Sequence, residues 1–294
     1  MSFGPNPWQQ TNWDWRAAGN FVCGGAGAGL VVFAALSGAQ GPALAILLLV
    51  GLALVGVGLL CVWLEIGRPL RALHVFLNPR TSWMTREAFV ATLLLPAGLV
   101  AALGWPGATA LAALLAGAFI YCQARIVQAA KGIPAWREPL TVPLLVLTGL
   151  AEGGGLWLLF QGALDPQRMP AAIGQPLLLG SAAALLLARA LVWTAWRGRL
   201  QRSAAPRALA AIDASGRWLQ LGSWLPLAAI AVVAALATGL VPPAGGAAMP
   251  SALLAVAGAL AVAAGAIFKF TLITRAGFNQ GFALAHLPVR GARR

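Results

Sequence analysis

The chain has 294 residues, 60% of them hydrophobic and 9% charged, and a mean hydropathy of +0.81; that balance excludes a water-borne globular domain. The formal charge of +13 is no argument for nucleic acid, because the cations gather at the ends of apolar runs instead of forming a polar face. What remains is a protein that lives in lipid.

Crossing a bilayer core of ~30 Å takes about 20 apolar residues in a helix. Eight such runs are predicted, at Ala17–Gly38, Pro42–Leu64, Ala88–Gly104, Gly107–Ala124, Leu140–Phe160, Gln175–Trp196, Leu219–Val241 and Ser251–Thr274. They are long and do not alternate in polarity, which fits helices and not the strands of a transmembrane barrel. The expected fold is an all-α integral membrane protein. An interfacial segment over residues 1–16 precedes an eight-helix domain over 17–275, and a tail over 276–294 follows.

In chain order, Trp8, Trp13 and Trp15 precede the first run and read as an interfacial belt, with no cleavable signal pattern before them. The first run carries Gly24, Gly25, Gly27 and Gly29, and the fifth Gly153, Gly154 and Gly155, which predicts seams where helices approach closely. Arg16 stands before the first helix. Arg68, Arg71, Arg80 and Arg86 fall between the second and third helices, and Arg125, Lys131 and Arg137 between the fourth and fifth. Arg189, Arg197, Arg199, Arg202, Arg207 and Arg217 bound or fill the connection after the sixth, and Lys269, Arg275, Arg290, Arg293 and Arg294 end the eighth and the tail. Only Arg168 is left for the opposite face, so the positive-inside rule places both termini in the cytoplasm. The stretch Arg197–Trp218 is expected to lie as a short helix on anionic headgroups or to dock a partner.

Cys23, Cys61 and Cys122 are isolated in apolar stretches and read as packing residues; neither a metal centre nor an iron–sulfur cluster is expected in this chain. The two histidines, His74 and His286, lie outside the spans, which argues against a haem held between helices.

The most informative stretch runs from Trp63-Leu64-Glu65-Ile66-Gly67-Arg68-Pro69-Leu70-Arg71-Ala72-Leu73-His74 through Asn78-Pro79-Arg80-Thr81-Ser82-Trp83 to Arg86-Glu87. A helix ending in an acid, then Ile-Gly-x-Pro-x-Arg-Ala, a Ser-containing turn and a Glu opening the next helix, resembles the membrane anchor of dimethyl-sulfoxide-reductase-type complexes, the DmsC/NrfD superfamily. Tyr121, Arg125 and Pro134-Ala135-Trp136 are similar to that family's fourth helix and following loop. The stretches Pro7–Arg16 and Thr274–Phe282 look closest to the membrane subunit of phenylacetyl-CoA:acceptor oxidoreductases. The resemblance implies a haem-free bundle that binds ubiquinone or menaquinone. Its partners would be a ferredoxin-like iron–sulfur subunit and a molybdopterin catalytic subunit on the cytoplasmic face.

Quinone reduction consumes two electrons and two protons, so a site needs a proton donor near the carbonyls and an apolar slot for the tail. Glu65, at the end of the second helix, is the first candidate; related anchors carry His there. The alternative is that Glu65 pairs with Arg68 or Arg71. His74 is a candidate donor to a quinone carbonyl or a structural loop residue. Trp83, Tyr121, Gln123 and Arg125, with Arg68 and Arg71, are candidates for lining the slot, although an arginine there also serves to snorkel to headgroups or to dock acidic loops. Glu152 sits inside the fifth run, where an ionised carboxylate is costly, and reads either as part of a proton path or as a hydrogen-bonding carboxyl. Glu87 reads as a carboxylate at a helix start. A secondary transporter built around Glu152 is the competing function, weakened by the lack of a second midplane charge in the sequence.

Overall fold

Bundle geometry follows from glycines at the turns and between the helices. The structure is a computed structural model that describes residues 4, 6–66, 69–161, 175–240 and 249–282. Eight helices are long and apolar enough to cross a membrane: α1 Trp15–Leu36, α2 Gly41–Glu65, α3 Trp83–Ala102, α4 Ala108–Ala129, α5 Thr141–Phe160, α6 Pro176–Leu200, α7 Pro206–Ala237 and α8 Met249–Thr274. No strand forms among the described residues; one isolated antiparallel bridge joins Gln9 to Phe278. Positive φ at Gly38 and Gly41 lets the chain reverse tightly between α1 and α2, and Gly104 and Gly107 do the same between α3 and α4.

α1 to α4 pack as one four-helix group and α5 to α8 as another, and the two meet chiefly through α1 against α5, with α8 also touching α1. The seam is made of glycine. A Cβ added at Gly153 would land in the backbone of Gly29, and one at Gly29 in the carbonyl of Gly149. Gly155 of α5 meets Gly258 of α8 in the same way, its added Cβ lying 2.7 Å from the Gly258 carbonyl oxygen. The glycine runs of the first and fifth helices are therefore packing seams, as the sequence predicts. Leu49, Val57, Leu60, Leu114 and Leu191 are exposed along the outside, which suits a surface solvated by acyl chains.

Both described terminal segments lie on one face, called here the tail face, where α2, α4, α6 and α8 end. Gln10 N–H donates to the Gly277 carbonyl at 2.8 Å, and Asn279 N–H to Trp8 O at 3.0 Å. Trp13 stacks on Trp136 at 4.9 Å between ring centroids, and Trp136 Nε1 donates to Leu272 O at 2.9 Å. Of the expected tryptophan belt, Trp8 and Trp15 are exposed, whereas Trp13 is turned into this strap.

Two helix starts differ from expectation. α3 opens five residues earlier, at Trp83, because Ser82 caps it by accepting from Thr85 N–H at 3.3 Å. α7 opens at Pro206 instead of near Leu219, so Arg197–Trp218 is no helix lying on headgroups. Ala205, Ala208 and Ile212 are buried with Trp196 and Leu200. Arg197 grips Asp213 through two bonds of 2.5 and 2.7 Å, which ties the start of α7 to the end of α6. Arg68, Arg168, His286, Arg290, Arg293 and Arg294, and the tail beyond residue 282, lie outside the described residues.

Candidate functional site

At the tail face a partly exposed aromatic and cationic cluster forms between the start of α3 and the end of α4. Tyr121 and Arg125 are four residues apart and share one face of α4. Tyr121 meets Trp83 edge to face at 5.7 Å. The guanidinium carbons of Arg86 and Arg125 lie 4.2 and 4.7 Å from the Trp83 ring centroid, within cation–π range. Arg125 Nη1 donates weakly to Tyr121 Oη at 3.5 Å, and its Nε is buried without a partner. Arg86 also donates to Pro79 O at 3.0 Å and Arg80 O at 2.8 Å, fixing the turn that leads into α3.

A 3-10 segment, Pro69–Leu77, carries Arg71 and His74 over α3. Phe76 packs edge to face on Phe89 at 5.1 Å, and Thr85 Oγ1 donates to Val75 O at 2.5 Å. His74 is exposed, and its Nδ1 donates to the Arg71 carbonyl at 3.1 Å, leaving Nε2 free to face a ligand. Glu65 ends α2 with Asp14 and Arg16 as its charged neighbours. No ion pair joins it to Arg71 among the described residues, and Arg68 lies outside them. Arg16 is held by Asp14 at 2.9 Å and donates to Leu64 O at 2.9 Å, linking the start of α1 to the end of α2. The Arg16 hydrogen bond keeps the Asp14 carboxyl below its ordinary range.

Gln123 is not part of this surface. Two residues from Tyr121 on a helix points it to the other side, and it is buried. Its Nε2 donates to Asn20 O at 3.0 Å, and Asn20 Nδ2 donates to Glu87 Oε1 at 3.2 Å. Glu87 is accordingly no exposed helix-start carboxylate: with α3 opening at Trp83 it falls one turn inside and is 5% exposed. Glu87, Asn20 and Gln123 form a buried group directly behind the aromatic cluster.

A second buried group occupies the α5–α8 half. Glu152, with no exposed surface, accepts from Lys269 Nζ at 2.5 Å. Lys269 spends its other two protons on Phe21 O at 2.6 Å and Val22 O at 3.2 Å, carbonyls of a π-helical turn over Asn20–Gly24 inside α1. Arg189, also fully buried, donates to Ser223 Oγ at 2.9 Å, Gly222 O at 2.6 Å and Ala261 O at 3.2 Å, and so staples α6 to α7 and α8. Lys269 and Arg189 therefore do not belong to the charged connections where the sequence reading put them, and Glu152 is not a solitary midplane charge. Glu152 lies eleven residues beyond Thr141 and Arg189 eleven before Leu200, each ~16 Å along its helix and near the middle of the bundle.

The signal for Lys269 was present in the sequence. Gly258, Ala261, Gly265, Lys269 and Leu272 recur at three- and four-residue spacing, a face of small residues that has to point inward and carries the lysine with it. Asn20 was missed because a single amide in a glycine-rich run carries no distinguishing pattern. No group of His, Cys, Asp or Glu suited to a metal ion forms among the described residues. No protein-family model matches the chain, and no curated protein matches it.

Proposed function

We propose that this chain is the quinone-reactive membrane subunit of a multi-subunit oxidoreductase of the bacterial cytoplasmic membrane, with the tail face cytoplasmic. The observation that carries the reading is the partly exposed Trp83–Tyr121–Arg125 cluster backed, one turn deeper, by the buried carboxyl of Glu87. An aromatic wall suits the quinone ring, cationic donors suit its developing oxyanions, and a carboxyl within the bundle suits proton exchange. Glu65 and His74 stand on the same face as further proton donors, with Arg71 beside them. Gln123 acts from behind, holding Asn20 and through it Glu87, instead of lining the slot.

In this reading the cationic tail face docks a ferredoxin-like iron–sulfur subunit wired to a molybdopterin catalytic subunit. Electrons from a cytoplasmic substrate such as a CoA thioester reduce ubiquinone or menaquinone. The test is to purify the tagged chain in mild detergent, identify copurifying subunits by mass spectrometry, and assay quinone reduction by wild type, Glu65→Gln and Tyr121→Phe. Copurified iron–sulfur and molybdopterin subunits, with turnover lost in the variants, support the assignment. Partners present with turnover unchanged remove only those residues; a chain extracted alone from native membranes removes the reading.

The paired charges Glu152, Lys269 and Arg189 favour one second reading, a secondary transporter with a midplane site between its two four-helix halves. Substrate flux through the purified chain alone in liposomes would select it.

A further inference from the structure

We infer that Arg86 and Arg125, both fixed on the ring of Trp83, clamp the phosphate of an anionic phospholipid in the leaflet at the tail face. The inference does not rest on the quinone reading; a quinone that reaches Tyr121 would meet this lipid at Arg125 and compete with it.

Charge without a counter-ion is the first argument. The two guanidinium groups lie 4.2 and 4.7 Å from one indole centroid, and no carboxylate pairs with either among the described residues. The ion pairs of those residues spend Asp14, Glu138, Glu152 and Asp213 on other cations. Glu65 has Asp14 and Arg16 as its charged neighbours. Glu87 is buried behind the cluster with its carboxyl accepting from Asn20, and even counted as ionised it offsets only one of the two positive charges. An anion in contact with both arginines relieves their repulsion.

The second argument is that the donors are held in place and unspent. The carbonyls of Pro79 and Arg80 take Nε and Nη2 of Arg86, which fixes the guanidinium and leaves Nη1. Tyr121 takes Nη1 of Arg125, weakly, at 3.5 Å, and Nε is buried with no partner. The Nε–Nη2 edge of Arg125, the kind of edge that meets two phosphate oxygens in parallel, therefore has no acceptor among the described residues. Because the ring already orders both side chains, binding costs little further side-chain entropy.

The surroundings select a lipid over free phosphate. Leu114, Tyr121 and Arg125 share one face of α4, with Leu114 seven residues before Tyr121. Leu114 is 73% exposed and Tyr121 42%. Over ~16 Å toward the tail face the helix thus turns from apolar to aromatic to cationic, the order in which a phospholipid presents acyl chain, glycerol and phosphate. Phe89 and Leu93 extend the apolar surface on α3.

The full-length chain, purified with any subunits that accompany it, is held in mixed micelles with equal amounts of phosphatidylglycerol and phosphatidylcholine of the same acyl chains. Native mass spectrometry then reads which lipid stays bound. The wild type is expected to retain about tenfold more phosphatidylglycerol, and Arg125→Gln to bring the ratio close to one. Trp83→Leu keeps both charges but removes the ring that fixes them, and is expected to lose most of the preference. Arg217→Gln, at an exposed arginine of α7, is expected to keep it. Equal retention of the two lipids by the wild type overturns the proposal, as does a preference that survives either Arg125→Gln or Trp83→Leu. A preference that falls as far with Arg217→Gln is diffuse surface charge and overturns the clamp. Displacement of the bound lipid by inorganic phosphate overturns the choice of a lipid. Should Arg125→Gln fail to fold, Trp83→Leu and the wild-type ratio decide.

Discussion

The two halves of the bundle solve one problem with different chemistry. In α1–α4 a buried carboxyl, Glu87, is met by the neutral amides of Asn20 and Gln123. In α5–α8 a buried carboxyl, Glu152, is met by Lys269, with Arg189 nearby. Amide partners leave the net charge of the first group to the carboxyl alone. Cationic partners tie the second into a network in which every member holds another: Lys269 grips α1 and α5 from α8, and Arg189 grips α7 and α8 from α6. The first half buries a carboxyl among neutral amides near a surface, and the second uses charges that hold helices together at depth.

Removing a cation from the second group should therefore cost most. Lys269→Met leaves Glu152 and the Phe21 and Val22 carbonyls without their donor, and breaking a buried pair from one side typically costs about 3–5 kcal/mol. The variant is expected to melt well below wild type in detergent, or to fail to accumulate. Sharpening the point, Lys269→Met with Glu152→Leu should recover much of that loss, since the orphaned charge goes with its partner. Equal instability in the single and double variants would mean that the π-turn carbonyls, not the carboxylate, depend on Lys269.

The seam between the halves comes next. Gly153→Ala places a methyl group in the backbone of Gly29, where no side chain can move aside, and overpacking of that kind costs about 1–3 kcal/mol. The melting temperature should drop, while Gly56→Ala, which meets open space, should leave it unchanged. In the first half, Glu87→Leu strands the Asn20 amide for about 1–3 kcal/mol, whereas Glu87→Gln offers a carbonyl in its place and should cost less. If the two Glu87 variants melt together, the amide cluster contributes little and the contrast between the halves is one of charge alone.

Helix number, the tail-face gathering of loops and the glycine seams were legible in the sequence because hydropathy and small-residue spacing survive averaging over a helix. The direction of a single long side chain does not. Lys269 stands five residues from the end of α8, close enough to read as an interfacial anchor, yet its side chain runs inward because Gly258, Ala261 and Gly265 on its helical face are small. Arg189 was misplaced in a similar way: Ala182 and Leu186, seven and three residues before it on the same helical face, are buried, and its side chain runs inward with them. Glu87 was misread through a boundary error: the Ser82 cap adds a turn to α3, and one turn separates an exposed carboxylate from a buried one. The strap between the termini had no local signature, being made of backbone bonds between residues 4–10 and 277–280.

The smallest effect lies outside the bundle, where a carboxylate meets a cation in water. Asp14 accepts from Arg16 at the edge of α1, and that bond holds its carboxyl below the ordinary value of 3.8. A carboxyl lowered on folding contributes its stability above the unfolded value and loses it as pH falls through the folded one. The contact should thus hold at neutral pH and weaken only in acid below 3.8, loosening the strap that carries Trp8 and Trp13 without melting the helices. Pepsin cleavage within residues 6–14 is the readout, because that protease works in acid. Cleavage should accelerate as pH falls through that range in wild type, while Asp14→Asn should start from the faster rate and show no acid step. Because Asp14 and Arg16 are open to solvent, added salt should shrink the difference between the two proteins; the Lys269–Glu152 contact, shielded from ions by the bundle, should not respond.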